Sequence, residues 1–427
     1  MHFGIIDDIA AHLAATAKVE VVDIAVDPCP ADMTGDITVN CFRLAKVLRR
    51  KPDDIAEDVT DFCNSHKDVH VAERIKAFVN VTLTNVSLFR DTVANTSALL
   101  PHNIVADDEK ERFLVEYSAP NTNKPQHLGH VRNNTLGMAM GSILKRVGHD
   151  VTLVNLINDR GVHICKSMIA YQRFGDDCTP ESTGKKGDHL VGDFYVRFDQ
   201  ELKKQIAELR AGQPELADAK EEVLFPKTEL GAATHAMLRA WEGDDPEVRA
   251  LWEKLNGWVL DGFNATYARA GAEFDRVYFE SDTYILGRDI IDNGLERGVF
   301  TRREDGAVEI DLEARKLGRK VVLRSDGTSV YVTQDIGTTV LKHRDFEPTA
   351  MIWVVGDEQK YHFDVLFAIL QALGYEWADN LHHLAYGMVN LPQGKMKSRE
   401  GTVVDADDLF DGMTELARQK TLEKWEE

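Results

Sequence analysis

The sequence predicts an open parallel α/β sheet, split by a mainly helical insertion and preceded by a small α/β N-terminal domain. Three observations carry this. From Phe113 onward, short apolar runs alternate with longer helical runs, the order that builds a parallel sheet. Between about residues 170 and 320, helical patterns interrupt that alternation. A polar stretch, LPHNIVADDEKE, separates the first part of the chain from the rest. The expected divisions are 1–110, 111–404 with the insertion at about 170–320, and a last helical stretch, 405–427.

In the N-terminal part, a helix is expected over Ile5–Thr16 and a strand over Val19–Val26. GDITVN then leads into CFRLAKVLRRK, where Arg43, Lys46 and Arg50 fall at helical spacing, with Arg49 and Lys51 beside them. This is the best basic stripe in the N-terminal third, although surface helices carry such charges routinely. Val86–Ala98 reads as a further helix.

The sheet domain opens on an apolar strand, Phe113–Tyr117, then the loop PNTNKPQHLGH (Pro120–His130) and the helical run TLGMAMGSILKRV, stopped by Gly148. Two histidines therefore stand where a helix begins. A helix N-terminus offers free N–H groups and a positive dipole end, which suits a phosphate. His127 and His130, three apart, share one side of the first turn. Gly129 between them has no Cβ, so a flat ring can lie against the backbone. Such a site holds a nucleotide and donates hydrogen bonds to charge developing on its phosphate; an ordinary polar helix cap is the competing reading.

Asp150–Ile157 is the next strand, which makes a right-handed βαβ unit with its ligand side at the carboxyl ends of the strands. In the insertion, helices are expected at Leu202–Leu209 and after Thr228, with Trp241, Trp252 and Trp258 in the core. The sheet resumes with a strand at Val330–Thr333 and a helix from Asp335. Ala350–Val355 is a strand ending at Gly356, Gln359–Leu373 a helix closed by Gly374, and Leu381–Val389 the last strand. GKMKSREGTVV then places Lys395, Lys397 and Arg399 on a loop bracketed by glycines. Bracketing glycines make such a loop mobile, and an ordinary exposed basic loop is the competing reading.

Composition bounds the function. The 427 residues are 43% hydrophobic and 28% charged, as in ordinary globular proteins. No apolar run reaches the roughly 20 residues that span a bilayer, and the N-terminus lacks a signal-peptide pattern. Five cysteines without CxxC spacing read as reduced thiols with no zinc site, in a cytoplasmic protein. The net charge of −21 means that any nucleic acid must be met by a local basic patch. No Ser/His/Asp triad or metal cluster is visible.

HLGH resembles the HIGH motif of class I aminoacyl-tRNA synthetases, and VEYSAPNTNKPQHLGHVRN is similar to its arginyl-tRNA synthetase form. GKMKSREGTVV resembles the KMSKS loop, with Lys397 at the third position and Ser398 in place of the second lysine. Asp159–Gly161 resembles the family's GDWG turn, although Asn158 and Arg160 replace two of its residues, and FDRVYFESDTY resembles a stretch preceding the second half of the sheet. Asp36, Asn40 and Leu44–Lys46 resemble the GD…TN…LAK pattern of the family's N-terminal domain, and Lys76, Phe78, Val79 and Asn80 its GFIN stretch without the glycine.

The resemblance covers nearly the whole chain and implies a class I synthetase-type, Rossmann-like sheet. It implies arginine–tRNA ligase chemistry: ATP, accompanied by Mg2+ that no protein cage holds, and L-arginine give arginyl-adenylate and pyrophosphate, and the arginyl group passes to tRNA(Arg). The implied catalytic residues are His127, His130, Lys395, Lys397, Arg399 and Lys124, the last substituting for the missing lysine. Glu116, Asn121, Tyr331, Asp335 and Gln359 would hold arginine, with Asp335 the first choice for the guanidinium; a plain helix N-cap at Asp335 and a core position for Tyr331 are the competing readings. Pro120, His127, Leu128, Gly129, His130, His362, Val389 and Lys395 would hold ATP, and Arg43, Lys46 and Arg50 the outer corner of tRNA. A monomer without membrane attachment is expected. The family continues into a C-terminal helical anticodon-binding domain, whereas 26 residues follow Gly401 (427 − 401). A fragment that binds ATP and arginine but charges tRNA poorly is therefore expected. Another HxGH nucleotidyltransferase or class I synthetase, or a non-catalytic tRNA-binding relative, remain the alternatives.

Overall fold

The structure, a computed structural model, describes residues 4–18, 24, 26–30, 32–99, 104–391, 394–395 and 403–426. It divides into two units, Met1–Ile104 and Val105–Glu427. In the first, strands β1 (Val26–Pro28), β2 (Ile37–Asn40), β3 (Val69–Ile75) and β4 (Phe78–Leu83) form an antiparallel sheet in the order β1-β2-β4-β3. Alternation along β4 buries Val79, Val81 and Leu83. Helices Gly4–Ala17, Cys41–Leu48 and Pro52–Ser65 add Ile5, Ile9, Leu13, Leu44, Ile55 and Val59 to the same core. The strand expected over Val19–Val26 lies almost wholly outside the described residues.

The basic stripe is shorter than its spacing implied. Arg49 turns left-handed (φ 51°) and ends the helix at Leu48. Arg50 thus leaves the helical face and pairs with Asp58 at 2.6 Å. Arg43 and Lys46 remain exposed.

In the second unit, β5 (Arg112–Glu116), β6 (Asp150–Ile157), β7 (Arg276–Phe279), β11 (Ala350–Gly356) and β12 (Leu381–Tyr386) form an all-parallel sheet. Its order is β12-β11-β5-β6-β7. The chain runs outward from β5 in one direction and returns on the other side through β11, so the order reverses between β5 and β11. A crevice opens at such a reversal, beyond the carboxyl ends of the strands. The helix Leu128–Val147 makes the first crossover and lies close on the sheet. A Cβ at Gly137 would stand 2.2 Å from the Tyr117 ring, and one at Gly141 2.6 Å from Leu153. Gly148 (φ 115°) closes that helix.

Two expectations for the middle of the chain are corrected. The segment from 170 to 320 is not only an insertion: β7 lies within it and extends the main sheet. A separate antiparallel sheet, β8 (Thr301–Arg302), β9 (Val308–Asp311) and β10 (Arg319–Leu323), follows. The helices Val162–Phe174, Gly187–Gly212, Glu229–Glu242 and Pro246–Ala270 share a core in which Trp252 and Trp258 pack. Trp241 is also buried. Second, Val330–Thr333 is not a strand. Val330 caps the helix Tyr331–Phe346, whose buried positions Val332, Thr333, Ile336, Gly337 and Thr339 follow a helical period. β-branched residues made the run read as extended, but packing of one helical face outweighs that local preference.

The same helix carries a buried ion pair. Lys342 (2% exposed) bonds the Glu116 carboxylate (7% exposed) at the end of β5. Lys342→Met alone is expected to cost about 3–5 kcal/mol, because it strands a buried charge; Lys342→Met with Glu116→Leu should recover most of that loss. Urea unfolding of the three proteins reads both values. A double variant as unstable as the single one would show that the pair is not the source of the cost.

Candidate active site

The site grows from the loop after β5. Gly129 N–H donates to His127 Nδ1 and His127 N–H to His130 Nδ1, each at 3.1 Å, so the two imidazoles cap their own helix. Leu128 N–H donates to Val404 O at 2.9 Å, and His130 N–H to His127 O at 2.7 Å. The free N–H groups expected at this N-terminus are therefore occupied. What remains is the other edge of each ring. An imidazole whose Nδ1 accepts a hydrogen bond carries its proton on Nε2 when neutral. Burial, then the nearby Lys124 charge, pushes His127 down to about 4. Burial, followed by His127 and Lys124, holds His130 well below the ordinary range. Both rings are neutral Nε2–H donors at pH 7.

A cavity of about 510 Å3 lies against them, bordered by Ser118, Asn121, His127, Gly129 and His130 on one side and Gln359, Met388 and Val389 on the other. Pro120 and Leu128 do not line it; Pro120 O instead accepts the Asn158 N–H at 2.9 Å. Nor does His362, expected beside the adenine. Its Nε2 lies 2.6 Å from Asp335 Oδ2, which raises its pKa.

Asn121 also borders a second cavity, of about 230 Å3, with Asn158, Glu280, Tyr331, Gln334 and Asp335. Tyr331 and Asp335 stand on the first two turns of the helix Tyr331–Phe346 rather than at a strand end. Glu280 follows β7 immediately. It was missed, although it occupies the carboxyl end of a sheet strand like the others, because its segment was read as an insertion. Burial raises the Glu280 pKa to about 7; Arg160 opposes that shift, while Asp159 and Asp335 add to it. Asp159 braces the position, accepting from Ser281 N–H at 2.8 Å and Ser281 Oγ–H at 2.6 Å. Arg160 also borders the cavity, with its guanidinium paired to Glu242 at 2.6 Å; the two carboxylates, the phenol and the amide side chains around it suit a planar cation with several N–H donors. Glu116 does not border either cavity, since Lys342 holds its carboxylate.

Lys395 lies in a two-residue ribbon pairing with Asn390, and Lys397 and Arg399 lie outside the described residues. The segment after them runs antiparallel to the start of the histidine helix, with Ala406 N–H donating to Gln126 O at 3.0 Å. Among the described residues, one cluster has metal-ligand spacing: His189, Asp405 and Asp407. The chain's own cations serve it, with Lys186 Nζ 2.6 Å and Arg269 3.0 Å from Asp407. All five cysteines are free, and no described helix is long and apolar enough to cross a membrane.

Comparisons with known proteins give the family. A family profile described as tRNA synthetases class I (R), catalytic domain, matches residues 95–427, and one described as arginyl tRNA synthetase N terminal domain matches residues 4–83. Over 401 residues the chain is 45% identical to a curated arginine–tRNA ligase of Phocaeicola vulgatus, covering 92% of this chain and 66% of that protein. A namesake from Amoebophilus asiaticus is 45% identical over 413 residues, covering 95% and 67%. The solved Thermus thermophilus arginyl-tRNA synthetase superposes with a TM-score of 0.59 at 25% identity, over 99% of this chain and 71% of that one. The chain thus spans about two thirds of the length of the curated relatives it matches. With both profiles in sequence order and the histidine-capped helix at the reversal of a parallel sheet, the chain belongs to the arginyl branch of the class I tRNA synthetases.

Proposed function

We propose that the chain activates L-arginine with ATP, forming arginyl-adenylate and pyrophosphate, and passes the arginyl group to tRNA(Arg). ATP lies in the larger cavity, its α-phosphate facing the Nε2–H edges of His127 and His130, its base towards Met388 and Val389. Arginine lies across Asn121, with its guanidinium in the smaller cavity between Asp335 and Glu280 and against Tyr331. Its carboxylate attacks the α-phosphorus, so no protein nucleophile is needed. Lys124, Lys395, Lys397 and Arg399 supply positive charge for the leaving pyrophosphate, Mg2+ enters with ATP, and Gln359 holds the amino-acid end. Arg43 and Lys46 form the basic face for tRNA in the N-terminal unit.

The observation that carries this reading is the pair of cavities meeting at Asn121, one beside imidazole donors and the other beside two carboxylates. The test is arginine-dependent ATP–pyrophosphate exchange, with and without tRNA. Exchange that requires arginine, and is not supported by citrulline, is expected. Exchange driven equally by another amino acid would overturn the assignment. Charging of tRNA is a separate readout.

A further inference from the structure

Between β5 and the motif loop, Ser118 (φ 79°) and Ala119 (φ 47°) are consecutive non-glycine residues in the left-handed region. An L side chain disfavours that conformation, so it persists only where the surroundings fix it. Here two asparagine side chains do so. Ser118 N–H donates to Asn133 Oδ1 at 2.6 Å, and Ala119 N–H donates to Asn155 Oδ1 at 3.0 Å.

Each asparagine is itself fixed. Asn133 Nδ2 donates to Val354 O on β11 at 2.7 Å, and Asn155 Nδ2 donates to Tyr267 OH at 3.1 Å. Tyr267 OH in turn lies 2.7 Å from Ser118 Oγ. Asn155, on β6, is fully buried and borders neither cavity. The network therefore draws on the histidine helix, β6, β11 and the helix Pro246–Ala270, and all of it converges on two backbone N–H groups.

The turn fixed in this way leads directly into Asn121. Asn158 N–H donates to Pro120 O at 2.9 Å and Thr122 N–H to Asn158 O at 3.1 Å, which sets Asn121 against the end of β6. Asn121 is the residue shared by the two cavities. We propose that Asn155 is a positioning residue: together with Asn133, which itself borders the larger cavity, it holds Ser118 and Ala119 left-handed and so places Asn121 with the amino-acid carboxylate and the α-phosphate aligned for attack. This rests on the function proposed above. Misalignment of reacting groups acts on the chemical step more than on binding, and a displacement near 1 Å can cost about 10²-fold.

The experiment compares the parent chain with Asn155→Ala and with Tyr267→Phe. The latter keeps the ring packing and removes only the hydroxyl that supports Asn155 and Ser118. Exchange is measured with arginine and tRNA, alongside separate ATP and arginine titrations and hydrogen exchange of the peptide spanning 117–122. Asn155→Ala is expected to lower kcat at least 10-fold with both affinities within about 3-fold, and Tyr267→Phe to lower it by a smaller factor. In both, amide protection should fall at 118–119 while β5 keeps its own. A purely structural asparagine would lower thermal stability and leave kcat intact, which would overturn the proposal, as would unchanged protection at 118–119. Absence of exchange in the parent chain would instead count against the proposed function, and the amide protection would still decide whether the clamp exists.

Discussion

His130→Ala is expected to lower the rate of adenylate formation by about 10²–10³-fold while ATP affinity changes only a few-fold. With Nδ1 accepting the His127 N–H, the neutral ring can present only its Nε2–H to the cavity. In the proposed reaction negative charge grows on the α-phosphate as the carboxylate attacks, so a donor fixed in advance contributes most at that moment. Losing the cap costs stability as well, about 1 kcal/mol, too little to unfold a chain of this size. Exchange kinetics beside a thermal melt separate the two effects; a rate within about 3-fold of the parent would remove His130 from the mechanism. The pH behaviour follows from the same geometry. Both imidazoles stay neutral in the folded chain, whereas unfolded histidine takes up a proton below about 6.5. Their burial therefore costs no stability above that pH, and stability falls as the pH drops from there towards about 4, the folded value for His127. Activity should show no inflection near 6.5 from these rings.

What the sequence revealed and what it hid divide along physical lines. The strand, loop and helix around His127 were legible because their signals are local: alternation in 113–117, the histidine pair, and a glycine that stops the helix. The sheet strand Ala350–Gly356 was legible for the same reason, as an apolar run with a glycine at its end. The fate of side chains was not. Glu116 meets Lys342 across 226 positions of sequence, a pairing that no local pattern encodes. His362 turns to Asp335 because the helices that carry them pack together in three dimensions. The four-residue strand β7 acquires its identity from pairing with β6, and with it Glu280 was lost from view. The helix N-terminus was read as open because side chains that turn back to cap their own backbone cannot be distinguished by spacing from side chains that point at a ligand.

Arginine binding is expected to weaken about tenfold per pH unit below pH 7, to be flat above pH 8, and to release close to one proton at pH 6. The cause is Glu280. In the empty cavity its pKa stands at about 7, so the group is largely protonated in mild acid. A guanidinium bonds best to the carboxylate, and its charge opposes the burial that raised the pKa. Binding therefore drives the proton off, and any pH below the raised value adds that cost. Glu280→Gln should abolish the proton release and weaken binding at pH 8 by about 30-fold or more, the usual loss when one partner of a desolvated charge pair is removed. Asp335→Asn should weaken binding comparably but leave an inflection, moved to lower pH, because Asp335 is one of the charges that raise Glu280. His362 is the competing source of protons, since it is hydrogen-bonded to Asp335 and its own pKa is raised. The Glu280→Gln variant separates the two: release that survives it belongs to His362. Titration calorimetry at pH 6.5 in two buffers of different ionisation enthalpy counts the protons directly. An affinity that does not change between pH 6 and pH 8 in the parent chain would mean that Glu280 does not face the guanidinium, and the second cavity would lose one of its two carboxylates as a recognition group.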